Sequence, residues 1–135
     1  NWELIPFGAM EVPRFLAGLD AYAFYHHPRW VEAFGRTVIE AMASGLPIIA
    51  THESGATTLA TDGVEGFIVK ARNVDQIADA MIKLATDRAL NEKMGRAARI
   101  RGAQRNSWDD YAGRLLDIFQ SAIQTKKRNL NPSSP

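Results

Sequence analysis

Three short apolar runs, each set off from the next by a stretch of helical period, leave this chain few architectures. Residues 21–25 (Ala-Tyr-Ala-Phe-Tyr), 46–50 (Leu-Pro-Ile-Ile-Ala) and 66–69 (Gly-Phe-Ile-Val) show no polar alternation. Strands of a parallel sheet covered by helices read this way, and the first run is expected to be buried on both faces. Before it, Val12, Phe15, Leu16 and Leu19 recur at helical spacing, with Pro13 in the first turn. Residues 35–44 predict a helix with Val38, Ile39 and Met42 on one face and Gly45 as its terminator. A short helix is expected near residues 56–60. Asn73 caps a longer one carrying Val74, Ile77, Ala78, Met81, Ile82 and Leu84, and residues 88–104 form another. Trp2 to Ile5 alternates like one further strand, closed by Pro6-Phe7-Gly8. The class is therefore α/β: a layered parallel sheet with flanking helices, whose ligands bind beyond the carboxyl ends of the strands.

Beyond residue 104, Ser107-Trp108-Asp109-Asp110 is a variant capping box. It opens a last helix with an apolar stripe of Tyr111, Leu115, Ile118, Phe119 and Ala122. Residues 125–135 read as a disordered tail, so the domain is expected to span residues 1–124. At 135 residues one domain is the natural reading. No apolar run approaches the roughly 18 residues of a membrane span. Without cysteine there is no disulfide framework and no thiolate metal site, which makes the cytoplasm the default compartment.

The net charge of +1 conceals an asymmetry: residues 1–87 hold 6 Lys/Arg and 11 Asp/Glu, and residues 88–135 hold 10 and 4. The basic end is a candidate for peripheral contact with an anionic membrane; its rival is a plain solvated helix face, on which Arg96 and Arg99 would sit. No aromatic interleaving marks a nucleic-acid surface, so no nucleic-acid partner is expected.

Chemistry concentrates in Glu32-Ala33-Phe34-Gly35-Arg36-Thr37-Val38-Ile39-Glu40. A helix beginning here offers unpaired N–H groups from Phe34, Gly35, Arg36 and Thr37, a ready site for a phosphate. Gly35, lacking Cβ, admits a close approach. Glu32 before the helix and Glu40 within it could each accept two hydroxyl protons of a sugar diol, one on either side of a pyrophosphate. Taken singly, Glu40 reads as a solvent-facing helix residue and Glu32 as a carboxylate complementing the helix dipole. The pair with its flanking sequence is more specific than either. His26 and His27, adjacent in an extended segment, point apart and cannot chelate one metal. Packing accounts for at least one of them, while the other, beside the site, could hydrogen-bond a sugar or phosphate; Trp30 reads as a loop anchor, with a sugar-stacking platform as the rival reading.

Val31 to Pro47, ending Glu40-Ala41-Met42-Ala43-Ser44-Gly45-Leu46-Pro47, resembles the E-x7-E signature of retaining GT-B-type glycosyltransferases, the glycosyltransferase group 1 family. The resemblance runs from about Trp2 to Phe119 and takes in Asp62-Gly63-Val64 with residues 66–69. It implies a Rossmann-like donor domain that needs no bound metal and uses a nucleotide diphosphate sugar as donor. It further implies that Glu32 contacts the donor hexose, Glu40 the ribose, amides from Phe34 to Val38 the diphosphate, and Pro6, Phe7 and Gly8 the base. The acceptor, carbohydrate or lipid-linked, stays open.

Two departures qualify the resemblance. The family's Gly-Gly-x-Pro-Glu turn reads Ser54-Gly55-Ala56-Thr57-Thr58 here, without its Pro and Glu. The chain also begins at what would be the third strand of the donor domain, lacking the first two β-α units with their cationic groups. A second copy, or the missing N-terminal half, would then complete the sheet, and the chain alone is expected to be inactive. A non-catalytic nucleotide-sugar-binding or assembly module is the alternative. A GT-B epimerase lacks support from any acid/base set.

Overall fold

The computed structural model describes residues 3–6, 8–25, 29, 35–104 and 108–130. Its centre is a parallel sheet of three strands, β1 (Tyr22–Phe24), β2 (Ile48–Thr51) and β3 (Gly66–Val69), in spatial order β1-β2-β3. Tyr22 pairs with Ile48, and Ile48 in turn with Gly66. Gly66 is obligatory for that register, because a Cβ there would collide with the Ile48 backbone.

Among the described residues five α-helices surround or follow the sheet: α1 (Val12–Ala17), α2 (Arg36–Ala43), α3 (Val74–Thr86), α4 (Arg88–Gln104) and α5 (Trp108–Leu130). A 3₁₀ turn, Gly55–Thr58, stands where a short helix is expected. Leu16, Phe24, Val38, Ala41, Met42, Ile48, Ala50 and Ala98 form the core on one sheet face. Ile49, Val69, Ala80, Leu84 and Met94 form the core on the other. Strand alternation sends Ile48 and Ala50 one way and Ile49 the other, and β2 is buried along its whole length.

Local chemistry sets the element boundaries. Asn73 Oδ1 accepts the Gln76 N–H at 3.0 Å, capping α3 as its sequence predicts. Gly45, at φ +83°, ends α2: its N–H donates to the Met42 carbonyl at 2.9 Å and the Leu46 N–H to the Ala41 carbonyl at 3.1 Å. That double bond pattern is a Schellman motif, and it turns the chain directly into β2. Helix α4 lies tight against this turn. A Cβ at Gly95 would strike the Gly45 carbonyl oxygen, and one at Gly102 would lie 2.8 Å from the Ala43 nitrogen.

Three expectations need correction. Residues 3–6 have no strand structure, and Leu4 is 78% exposed. Among the described residues no ladder partner adjoins them, and an extended segment without a neighbour leaves its backbone groups to water. Strand β1 is not buried on both faces: Ala23 is exposed while Phe24 is buried. It is an edge strand, and the helix on the Ala23 side, α3, packs against β2 and β3. The tail expected from Thr125 is helical through Leu130. Gln124, Lys126 and Lys127 are good helix formers, and the first proline after them is Pro132.

The chain divides into two compact units, Asn1–Ala103 and Gln104–Pro135. In the second, Tyr111, Leu115, Ile118 and Phe119 of the expected stripe are exposed. No helix among the described residues is long and apolar enough to cross a membrane.

Candidate functional site

Of the sequence-predicted residues, the start of α2 carries Gly35, Arg36, Thr37, Val38 and Glu40, beside the last residue of β1. Gly35 occupies the cap position of α2 at φ +71°, ψ +58°, a left-handed conformation that glycine adopts without penalty. A Cβ there would lie 3.2 Å from a Val38 methyl and 3.5 Å from the Phe24 ring. The strand that ends in Phe24 is thus in direct contact with the mouth of the helix. Among the described residues no side chain caps this end.

The amides at the mouth divide unequally. The Val38 N–H donates to the Gly35 carbonyl at 3.0 Å and the Ile39 N–H to the same oxygen at 3.4 Å. Val38 is fully buried, so its side chain serves the core and its amide is already engaged. Among the described residues no bond engages the amides of Gly35, Arg36 and Thr37, which stand at the helix end whose dipole favours an anion. Arg36 and Thr37 are exposed. Glu40 lies one turn further along α2, its side chain 41% exposed and 4.0 Å from the Arg36 guanidinium. An exposed pair at that distance contributes little and leaves the carboxylate available.

Pro6 and Gly8 lie in an exposed turn closed by the Ala9 N–H donating to the Pro6 carbonyl at 3.1 Å. Among the described residues no hydrogen bond or ion pair joins that turn to α2. Glu32, Phe34, Phe7, His26, His27 and Trp30 lie outside the described residues, so the expectations placed on them have no structural counterpart here. Arg96 and Arg99 are exposed, as a solvated face requires.

No local pattern of residues signals how the three carboxyl-end loops are joined. The loop after β3 receives side chains from the other two: Tyr25 Oη accepts the Arg72 N–H at 3.1 Å, and Glu53 Oε2 accepts the Ala71 N–H at 3.2 Å. Gln76 Oε1 takes the Lys70 N–H at 2.9 Å. Arg72 is held at φ +61°, a left-handed conformation that costs a non-glycine residue about 1–2 kcal/mol. Side chains from loops distant in sequence can be paired only in the fold.

A cavity of about 620 Å³ lies elsewhere, lined by Asp20, Ala21, Ala23, Ile49, Met81 and Arg88 among others. It opens beside the exposed face of β1 and touches none of the α2 residues. Glu92 on its rim is held below the usual carboxylate range by a hydrogen bond from Arg88 at 2.9 Å and by that residue's charge. Among the described residues no cluster of His, Asp and Glu is placed to hold a metal ion.

A parallel three-stranded sheet with flanking helices defines a Rossmann-type α/β module. Residues 3–101 match the model of the glycosyl transferases group 1 family. The chain belongs to that family, and its fold is that of the GT-B glycosyltransferases. It is 40% identical over 98 residues to a D-inositol 3-phosphate glycosyltransferase of Kribbella flavida, covering 73% of this chain and 23% of the relative. A namesake in Pseudarthrobacter chlorophenolicus is 32% identical over 98% of this chain and 31% of the relative. The C-terminal domain of a glycosyl transferase group 1 family protein (LpcC) of Francisella tularensis superposes with TM-score 0.65 at 27% identity, covering 77% of this chain and 51% of that one. Anabaena Alr3699/HepE in complex with UDP gives TM-score 0.71 at 25% identity, over 81% and 29%. The chain therefore spans about a quarter to a third of these two curated relatives.

Proposed function

We propose that this chain is the donor-binding part of a glycosyltransferase that moves a hexose from a nucleotide diphosphate sugar to an acceptor with retention of configuration. The open mouth of α2 carries the reading: three backbone amides at a dipole-positive helix end, with a half-exposed carboxylate one turn away. Gly35, Arg36 and Thr37 would hold the diphosphate, and Glu40 would accept hydroxyl protons from the ribose. Glu32 would contact the hexose, where charge builds as the glycosidic bond breaks. The Anabaena neighbour carrying UDP supports a nucleotide diphosphate as the ligand class. No metal is assigned a part, and the 135 residues alone are inactive in this reading because the acceptor lies with the remainder of the protein.

The decisive test is Glu32→Gln in the complete enzyme, which is expected to abolish transfer while thermal unfolding stays unchanged. Undiminished turnover would sink the assignment. A second reading, a non-catalytic module that binds a nucleotide sugar, draws on one observation: residues 54–58 lack the Pro and Glu usual in this family. In that case the complete protein would bind UDP-glucose and transfer nothing.

A further inference from the structure

We infer that Tyr25 and Glu53 are positioning residues for the helix mouth, acting through the loop that follows β3. The inference rests on the donor-site reading of α2 and adds to it the parts that fix the geometry of that site. Tyr25 is the first residue after β1 and the root of the segment leading to Gly35. Its hydroxyl crosses to the far side of the sheet and accepts the Arg72 N–H at 3.1 Å, 47 positions along the chain. Glu53, from the loop after the central strand, accepts the neighbouring Ala71 N–H at 3.2 Å. Consecutive amides of one loop are thus held by side chains from the two others.

That strap reaches the site by one further contact. Phe24 precedes Tyr25, and its ring lies where a Cβ on Gly35 would be 3.5 Å away. A shift at Tyr25 therefore moves Phe24, and with it the residue whose left-handed turn aims the amides of Arg36 and Thr37. Strand β1 is three residues long and pairs with β2 alone. Few ladder bonds hold it in register, so a side-chain tie at its carboxyl end has leverage. The left-handed Arg72 backbone is the conformation in which its N–H meets the tyrosine, and the bond offsets part of the strain.

The test uses amide exchange on the whole chain, with calorimetric titration by UDP. Tyr25→Phe keeps the ring and removes the acceptor. It should raise exchange at Arg72 and also at Val38 and Ile39, whose N–H groups close the first turn of α2 on the Gly35 carbonyl. Affinity for UDP should fall about 2- to 10-fold, the range for one lost hydrogen bond. Glu53→Ala should behave alike, whereas Glu53→Gln, which keeps an acceptor oxygen, should restore the wild-type values. Exchange at Val38 and Ile39 unaltered in Tyr25→Phe would overturn the inference whatever the ligand does. UDP binding by the wild type with equal affinity in both loss variants would also overturn it and leave the donor-site reading standing. A wild type that ignores UDP would instead remove the donor-site reading and the role assigned to the strap.

Discussion

Arg101 and Glu65 meet at 3.5 Å, joining the last turn of α4 to the turn before β3. Glu65 is 4% exposed, and its second oxygen accepts the Thr61 N–H at 2.7 Å. The carboxylate therefore serves two partners in a dry setting, and its removal strands both. Glu65→Ala should lower stability by about 1–3 kcal/mol in urea unfolding, less than for a fully buried pair because the Arg101 side chain is 30% exposed. Glu65→Gln, which preserves the acceptor for Thr61, should lose less. Equal midpoints for wild type and Glu65→Ala would show that the pair contributes nothing.

The glycines of α4 make the opposite of the usual helix prediction. Gly to Ala inside a helix ordinarily stabilises by about 0.5–1 kcal/mol. At Gly95 and Gly102 the new methyl meets the Gly45 carbonyl and the Ala43 nitrogen, so overpacking should dominate and cost about 1–3 kcal/mol. Gly113 in α5 has nothing within 4 Å of its would-be Cβ, and Gly113→Ala should gain helicity. Circular dichroism melts of the three variants should therefore differ in sign.

Gly35→Ala should strike stability and binding together. The left-handed conformation costs alanine about 1–2 kcal/mol, and the methyl would press on Val38 at 3.2 Å. A loss of UDP affinity larger than that of a distant variant matched in melting temperature would tie the effect to the helix mouth.

Glu40→Ala should weaken nucleotide binding about 10- to 100-fold if the carboxylate takes the ribose hydroxyls, since hydrogen bonds to a charged group contribute about 1.5–3 kcal/mol. Its ion pair with Arg36 is exposed and long, so folding should be nearly unaffected. Calorimetry returning the wild-type affinity would remove the ribose role from Glu40.

Much of this fold can be read from local pattern. The strand at residues 66–69, the Asn73 cap, the helix over residues 88–104 and the stop at Gly45 all follow from periodicity and capping chemistry, and the structure places them as expected. Non-local features escape such reading. The run at residues 21–25 is as apolar as a central strand, yet only the sheet order reveals that β1 is an edge with Ala23 uncovered. The pattern of residues 2–5 reads as a strand, but a pattern cannot supply a neighbour to pair with. Gly95 and Gly102 look like helix weaknesses until the Gly45 turn is seen against them. Within the site, the amides of Arg36 and Thr37 were legible from the motif, whereas the engagement of Val38 depends on the tight first turn of α2.

Titration of isotope-labelled chain with UDP, followed by amide chemical shifts, interrogates the helix mouth directly. The largest shifts should fall on Gly35, Arg36 and Thr37, with smaller ones along the first turn of α2 and at Glu40. Shifts confined to the cavity lined by Ala21, Ala23, Met81 and Arg88, with residues 35–37 unmoved, would contradict the assignment of the donor site to α2.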